Sequence, residues 1–213
     1  FDDGNVVHVD GSVDPVRDKE IIDTELQLKD LETVENRIKR VEKIAQVGGD
    51  KNAKVEYDVL TAIREALLQG KNARSVEFDS KESQQAARNL FLLTSKPVMY
   101  VCNVDEASAA TGNEYVEAVR KAVADENAEV LVLAARTEAD IAELETYEER
   151  QMFLQDVGLD ESGCNRLIKA AYNMLQLETY ITAGVQEVRA WTYHRGWKAP
   201  QCAGVIHTDF EKG

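Results

Sequence analysis

The apolar positions in the first quarter of the chain recur at helical spacing. They step by four, three and four residues along a narrow stripe, as in a coiled coil. Asp14-Pro15 suits the first turn of a helix, and Gly48-Gly49-Asp50 breaks the pattern. The spacing therefore predicts a long helix from Asp14-Pro15 to about Val47. Its stripe consists of Leu28, Leu31, Val34, Ile38, Val41 and Ala45.

A second helical stripe follows the glycine break and ends at Gly70. Its apolar residues are Val55, Val59, Leu60, Ile63 and Leu67. Two helices joined by a tight glycine turn fold back on each other, so we expect an antiparallel hairpin. Ser80 is a good N-cap, and a third helix is predicted from Ser80 to Leu93.

Two short apolar runs predict a parallel sheet. The strands are expected at Lys96–Cys102 and Val130–Leu133, with a helix over Glu114–Asn127 between them. Strand, helix and strand form a right-handed βαβ unit. A further short strand is expected at Asn5–Val9. Two more helices are expected at Thr137–Asp156 and Gly163–Leu177.

Beyond Thr179 the pattern changes to alternation. The segments VRAWTY and AGVIHTDF alternate apolar and polar residues, with glycines and Pro200 between them. This texture predicts a small β-rich module with too few strands to bury a sheet of its own.

Charge and cysteine content narrow the class of protein. The net charge of the 213 residues is −14, which opposes nucleic acid, so any contact with RNA is expected to be local. Arg37, Lys39 and Arg40 form a small basic patch, which is either a solvated helix face or a contact with RNA or a ribosomal protein. Three widely spaced cysteines disfavour a disulfide framework or a zinc site and indicate a reducing cytoplasm. No apolar run is long enough to span a bilayer.

The end of the first parallel strand carries the candidate chemistry. Ligands of such folds bind outside the carboxyl ends of the strands, where Asn103-Val104-Asp105-Glu106 lies. GTPases place Asn-Lys-x-Asp here, and the Asp accepts from two guanine N–H groups. In this chain Val104 takes the Lys position, and the longer Glu106 would overshoot the guanine geometry. Adenine offers N6–H₂ and N7, which an Asn can satisfy, so the loop predicts an adenine-tolerant or adenine-preferring site.

Both candidate loops also have an ordinary structural explanation. Asn103-Val104-Asp105-Glu106 can be an ordinary strand-end turn, because Asn and Asp favour turns. Ala134-Ala135-Arg136 follows the second strand, where backbone N–H groups close over the base in such folds, but an ordinary helix-entry loop explains it as well.

The chain resembles the YchF/Obg-like ATPase family over essentially its whole length. The matching stretches are NVVHVDGSVDPVRD, IDTELQLKDL, KPVMYVCNVDE, RTEADIAEL, GLDESGCNRLIKAAYNMLQLETYITAG and VQEVRAWTYHRGWKAPQCAGVIHTDFEKG. The resemblance implies a cytoplasmic P-loop ATPase that prefers ATP over GTP, uses Mg²⁺ and binds the ribosome. It also implies nucleotide contacts from Asn103, Val104, Glu106, Ala134, Ala135 and Arg136. Ala134 stands where relatives often carry Ser or Cys.

The implied fold is a partial G-domain-like P-loop NTPase of the α/β class. Residues 1–13 and 96–178 are expected to form the C-terminal part of the ATPase domain, with residues 14–95 as an antiparallel coiled-coil insertion. Residues 179–213 are expected to form part of a TGS module, a β-grasp fold. The resemblance implies the ribosome, with rRNA or tRNA, as partner of the helical arm and the TGS module, and no membrane.

One departure limits the implied activity. No GxxxxGK[ST] phosphate loop occurs in the sequence, and we expect that loop, the magnesium ligands and the switch motif to lie upstream of Phe1. This chain is then expected to be inactive in hydrolysis by itself, although the intact protein is an ATPase. The alternative is a docking module that acts through the helical hairpin and TGS module without catalysis.

Overall fold

The computed structural model describes residues 11–47 and 49–212. The contacts divide the chain into two units, residues 1–98 with 114–128 and residues 99–113 with 129–213. The predicted strand at Asn5–Val9 lies outside the described residues. The helices are α1 (Pro15–Val47), α2 (Lys51–Leu68), α3 (Lys81–Arg88), α4 (Glu114–Ala122), α5 (Ala135–Glu143), α6 (Tyr147–Asp156), α7 (Gly163–Met174), α8 (Ala199–Ile206) and α9 (Thr208–Glu211). The strands are β1 (Met99–Asn103), β2 (Glu129–Leu133), β3 (Leu177–Ala183) and β4 (Val188–His194).

The core of the first unit lies between α1 and α2. Asp50 caps α2 by accepting from the backbone N–H groups of Asn52 and Ala53. Most of the two predicted stripes is buried, including Val34 on α1 and Leu60 on α2. Leu28 is the exception, because its side chain is 61% exposed and lies outside the packed stripe.

A buried carboxylate fixes the return segment to the hairpin. Asp30 on α1 is 2% exposed. Its oxygens accept from the backbone N–H of Leu93 at 2.9 Å and from the N–H and Oγ1 of Thr94 at 2.7 Å each. Thr94 Oγ1 in turn accepts from the Ala73 N–H. This network gives buried polar groups their partners and holds residues 73 and 93–94 against α1.

The third helix is shorter than the sequence predicts. Ser80 caps α3 as expected, accepting from Ser83 N–H, but the helix ends at Arg88 instead of Leu93. Phe91 has a φ of 51°, which an α-helix cannot accommodate. The N–H groups that would continue the helix instead bond to Asp30.

Other predicted helix bounds were also wrong at their C-terminal ends. The helix expected over Thr137–Asp156 is two helices, because Leu144 is extended and Thr146 begins α6 with a capping box to Glu149. The helix expected to Asn127 ends at Ala122 and is followed by a 3₁₀ turn. The helix expected to Leu177 ends at Met174 because Leu177 already belongs to β3.

The C-terminal segment corrects the β-rich prediction. Strands β3 and β4 form an antiparallel hairpin, with Tyr180 opposite Trp191. The AGVIHTDF segment, predicted as alternating and strand-like, lies in α8 and α9. Pro200 sits in the first turn of α8, where its missing N–H costs nothing, and His207 caps α9. Tyr180 donates its hydroxyl to the Cys202 carbonyl and so attaches α8 to the hairpin.

Candidate functional site

The two candidate loops meet at one edge of the parallel sheet. Strands β1 and β2 pair in parallel, with Asn103 opposite Leu133 at the carboxyl ends. The Val104 N–H continues the ladder by donating to the Leu133 carbonyl at 2.9 Å. The predicted parallel pairing therefore places the loops after Asn103 and after Leu133 side by side.

A direct hydrogen bond joins these loops. Asn103 Oδ1 accepts from the backbone N–H of Ala135 at 2.9 Å, although 32 residues separate the two along the chain. Ala135 is the first residue of α5, and no side chain caps that helix start at Ala134. The Asn103 side chain thus supplies the partner that a cap would provide. Among the described residues, the Nδ2 group of Asn103 has no hydrogen-bond partner.

The candidate residues divide into buried and exposed ones. The side chains of Val104 and Ala134 are 4% and 2% exposed, so they pack beneath the loops. Asn103, Glu106, Ala135 and Arg136 are exposed at the edge. A base at this edge would meet these four residues, whereas Val104 and Ala134 could contribute through their backbones. Contact with a nucleotide stays a prediction for all six.

Asp105 organises the first loop, although it was not among the predicted site residues. Its carboxylate accepts from the Ser108 N–H at 2.8 Å and begins a 3₁₀ turn over Glu106–Ser108. Hydrogen bonds from the side chain and backbone of Ser108 hold the pKa of the Asp105 carboxyl below its usual range. The Asp-x-x-Ser spacing is the sequence signal for this turn. The turn fixes the backbone of the exposed Glu106.

A second carboxylate, that of Glu138, ties the helix that follows Ala134 to the N-terminus of α7. Glu138, in the first turn of α5, accepts from the N–H groups of Gly163 at 2.6 Å and Cys164 at 3.0 Å. Its hydrogen bond also raises the pKa of the Cys164 thiol. Arg166 Nη2 donates to the Val132 carbonyl of β2 at 2.8 Å. The N-terminus of α7 is thereby fixed to β2, which ends at Leu133, and to α5, which begins at Ala135. No local sequence signal marks Glu138, because its partners lie 25 and 26 residues away.

The described residues show neither a metal centre nor a membrane span. In ranges 11–47 and 49–212, no group of three or more His, Cys, Asp or Glu side chains is arranged to hold a metal ion. The magnesium ligands expected upstream therefore stay a prediction. No helix of this described part is both long and apolar enough to cross a bilayer.

Comparisons with known proteins cover the whole chain. It is 54% identical over 215 residues to the ribosome-binding ATPase YchF of Bacillus subtilis (strain 168), covering 100% of the chain and 58% of that protein. It is 43% identical over 218 residues to Obg-like ATPase 1 of Pongo abelii, covering 100% of the chain and 54% of that protein. The chain is homologous over its full length to the YchF/Obg-like ATPases.

The structural comparison agrees with this relationship. The solved YchF GTPase of Schizosaccharomyces pombe matches with a TM-score of 0.85 and 34% identity, covering 100% of the chain and 57% of that structure. The family model YchF-GTPase_C, described as a protein of unknown function, matches residues 177–213. The predicted fold class, a partial G-domain-like α/β sheet with a helical hairpin and a TGS-like module, is confirmed. The chain spans 58% of the length of its Bacillus relative.

Proposed function

We propose that the chain is the base-recognising and ribosome-docking part of a cytoplasmic ATPase. The hydrogen bond between Asn103 Oδ1 and the Ala135 N–H carries the proposal, because it joins the loops that follow two parallel strands. Ligands of open α/β sheets bind at this edge. The relatives named as ribosome-binding ATPases support the same assignment.

The exposed groups of the edge favour adenine over guanine. Asn103 Nδ2 can donate to N7, which both purines carry. The second lone pair of Asn103 Oδ1 can accept from the adenine N6–H₂ group, whereas guanine presents its O6 acceptor there. Glu106 is one methylene longer than the Asp that reads guanine in GTPases. A preference for ATP over GTP follows from the N6–H₂ contact and from the length of Glu106.

Hydrolysis is assigned to the intact protein and not to this chain by itself. The sequence contains no GxxxxGK[ST] motif, and phosphate and Mg²⁺ contacts supply most of the chemistry of phosphoryl transfer. The proposed cofactor is therefore ATP with Mg²⁺, whose metal ligands lie elsewhere in the intact protein. Asn103, Glu106 and Ala135–Arg136 hold the base end.

Glu106→Asp tests the base-reading proposal. Shortening the side chain should restore the reach that reads the guanine N–H groups. In the intact protein, we expect the ratio of ATP to GTP dissociation constants to move towards GTP by about tenfold, or ~1.4 kcal/mol. Isothermal titration measures both constants. The matched control is Glu143→Asp at the far end of α5, which should leave the ratio unchanged. An unchanged ratio in Glu106→Asp would remove Glu106 from base selection.

A second candidate function is docking without catalysis. The 33-residue helix α1 and its partner α2 form an arm larger than base recognition requires. Co-sedimentation of the intact protein with ribosomes, with and without residues 14–95, addresses this reading. We expect binding to fall when the arm is removed. Equal binding would assign docking to other surfaces, such as residues 179–213.

A further inference from the structure

Arg136 is a cation at the start of a helix, where its charge is unfavourable. It is the second residue of α5, and the N-terminus of a helix carries the positive end of the helix dipole. A carboxylate in the first turn would offset this charge, and α5 has one there, Glu138. Both oxygens of Glu138, however, accept from the N–H groups of Gly163 and Cys164. The fold therefore gains little from a cation at position 136.

The side chain of Arg136 is also exposed and unpaired. It lies at the carboxyl edge of the parallel sheet, beside the loop that follows β1. In the part of the chain that the structure describes, its guanidinium forms neither an ion pair nor a side-chain hydrogen bond. Its N–H donors and its planar π-system are therefore both available to a ligand.

The backbone of Arg136 is held on both sides. On one side, the N–H of Ala135 donates to Asn103 Oδ1 at 2.9 Å. On the other side, Thr137 is 1% exposed, so its side chain is packed into the protein. Arg136 therefore begins from a fixed position next to the Asn103 amide. A base bound by this amide at its N6 and N7 edge would present its faces to the neighbouring side chains.

Of the described candidate residues at this edge, Arg136 is the one suited to cover a face of the base. Val104 is 4% exposed, so its side chain packs beneath the loop. Asn103 is used in the plane of the base, and Ala135 offers only a methyl group. Glu106 is an anion, which the negative face of a π-system does not attract. A guanidinium is planar and cationic, and proteins stack nucleobases on it.

We propose that the guanidinium of Arg136 stacks on one face of the adenine ring whose edge Asn103 binds. Asn103 would then select the base through contacts in its plane, and Arg136 would add affinity. Every base has a π-face, so stacking should strengthen the binding of adenine and guanine alike. This inference rests on the proposed base site and specifies the role of Arg136 within it.

Arg136→Ala and Arg136→Lys test the stacking in the intact protein. Isothermal titration with ATP should show about tenfold weaker binding for Arg136→Ala. Arg136→Lys keeps the charge but loses the planar group, so we expect binding that is about fivefold weaker. GTP binding should weaken by the same factors, and the ratio of the two dissociation constants should not change. The control is Arg120→Ala, which removes a half-exposed arginine from α4 and should leave both constants unchanged.

The outcomes separate this inference from the proposed function. Unchanged ATP binding in Arg136→Ala, or full ATP binding in Arg136→Lys, would overturn the stacking. Weaker binding of Mg²⁺-tripolyphosphate, which has no base, by Arg136→Ala would place Arg136 at the phosphates and overturn it as well. A lower melting temperature of nucleotide-free Arg136→Ala would assign the side chain to the fold, with the same consequence. Each of these results leaves the base site at Asn103 standing, whereas failure of the unsubstituted protein to bind ATP would overturn both.

Discussion

Three carboxylates set much of the local geometry by accepting backbone N–H groups. Asp30 holds residues 93–94, and Asp105 begins the 3₁₀ turn that includes Ser108. Glu138 accepts from the first two N–H groups of α7. The Asp105 turn can be predicted from the sequence, because its partner is three residues away. Asp30 and Glu138 cannot, since their partners lie 63 to 64 and 25 to 26 residues along the chain. At the residue scale, local hydrogen bonds are therefore predictable and long-range ones are not.

The Asp105 turn should respond to acid. Its folded pKa lies below the ordinary value of 3.8, so its contribution is fully present above about pH 3.8 and is lost as the pH falls through the folded pKa. NMR titration of the Asp105 carboxyl and the Ser108 amide should show a shared transition below pH 3.8. A transition at or above the ordinary value would show that the turn does not form.

Asp30→Ala should destabilise the helical unit. The substitution removes three hydrogen bonds and leaves the N–H groups of Leu93 and Thr94 without an acceptor, at an expected cost of about 3 kcal/mol. Urea denaturation measures the free energy of unfolding. Asp58→Ala is the matched control, because Asp58 is exposed on α2, and its effect should stay within about 0.5 kcal/mol. Equal effects for the two variants would contradict the role of Asp30.

At the scale of elements, periodicity predicted the hairpin well and the ends of several helices poorly. Helix α1 was predicted from Asp14-Pro15 to about Val47 and runs over Pro15–Val47. Its bounds were predictable because the apolar stripe is regular and the glycines after Val47 interrupt it. Helix α3 ended five residues early, since the long-range bonds of Asp30 outweigh its apolar pattern. Helices α8 and α9 were taken for strands, because eight residues of alternating character do not distinguish the two states.

The Gly163→Ala substitution tests the junction of α7 with β2 and α5. A Cβ at position 163 would lie 2.7 Å from Leu133 Cβ and 2.9 Å from Glu138 Oε1. Helix α7 would have to move or lose its hydrogen bonds to Glu138, so we expect a loss of about 1–3 kcal/mol in the free energy of unfolding. Thermal and urea unfolding measure it. In the control, Gly184→Ala, the nearest heavy atom to the new Cβ is 3.7 Å away, and a similar loss there would contradict the argument from close packing.

At the scale of the molecule, contacts and sequence divide the chain differently. The sequence predicted three domains, at residues 1–13 with 96–178, at 14–95 and at 179–213, whereas the contacts group α4 with the helical hairpin. Lys19 and Arg74 both pair with Glu126, which follows α4 and belongs to that same unit. Such tertiary ion pairs leave no periodic signal. The boundaries of independently folding parts stay a prediction that limited proteolysis can address.

The residues at the Asn103 edge are proposed to bind adenine in preference to guanine. Isothermal titration of the intact protein with ATP and with GTP, under the same Mg²⁺ and salt conditions, tests it most directly. The contacts of Asn103 and the length of Glu106 predict that ATP binds more tightly than GTP. A tenfold or greater preference for GTP, about 1.4 kcal/mol, would contradict the account.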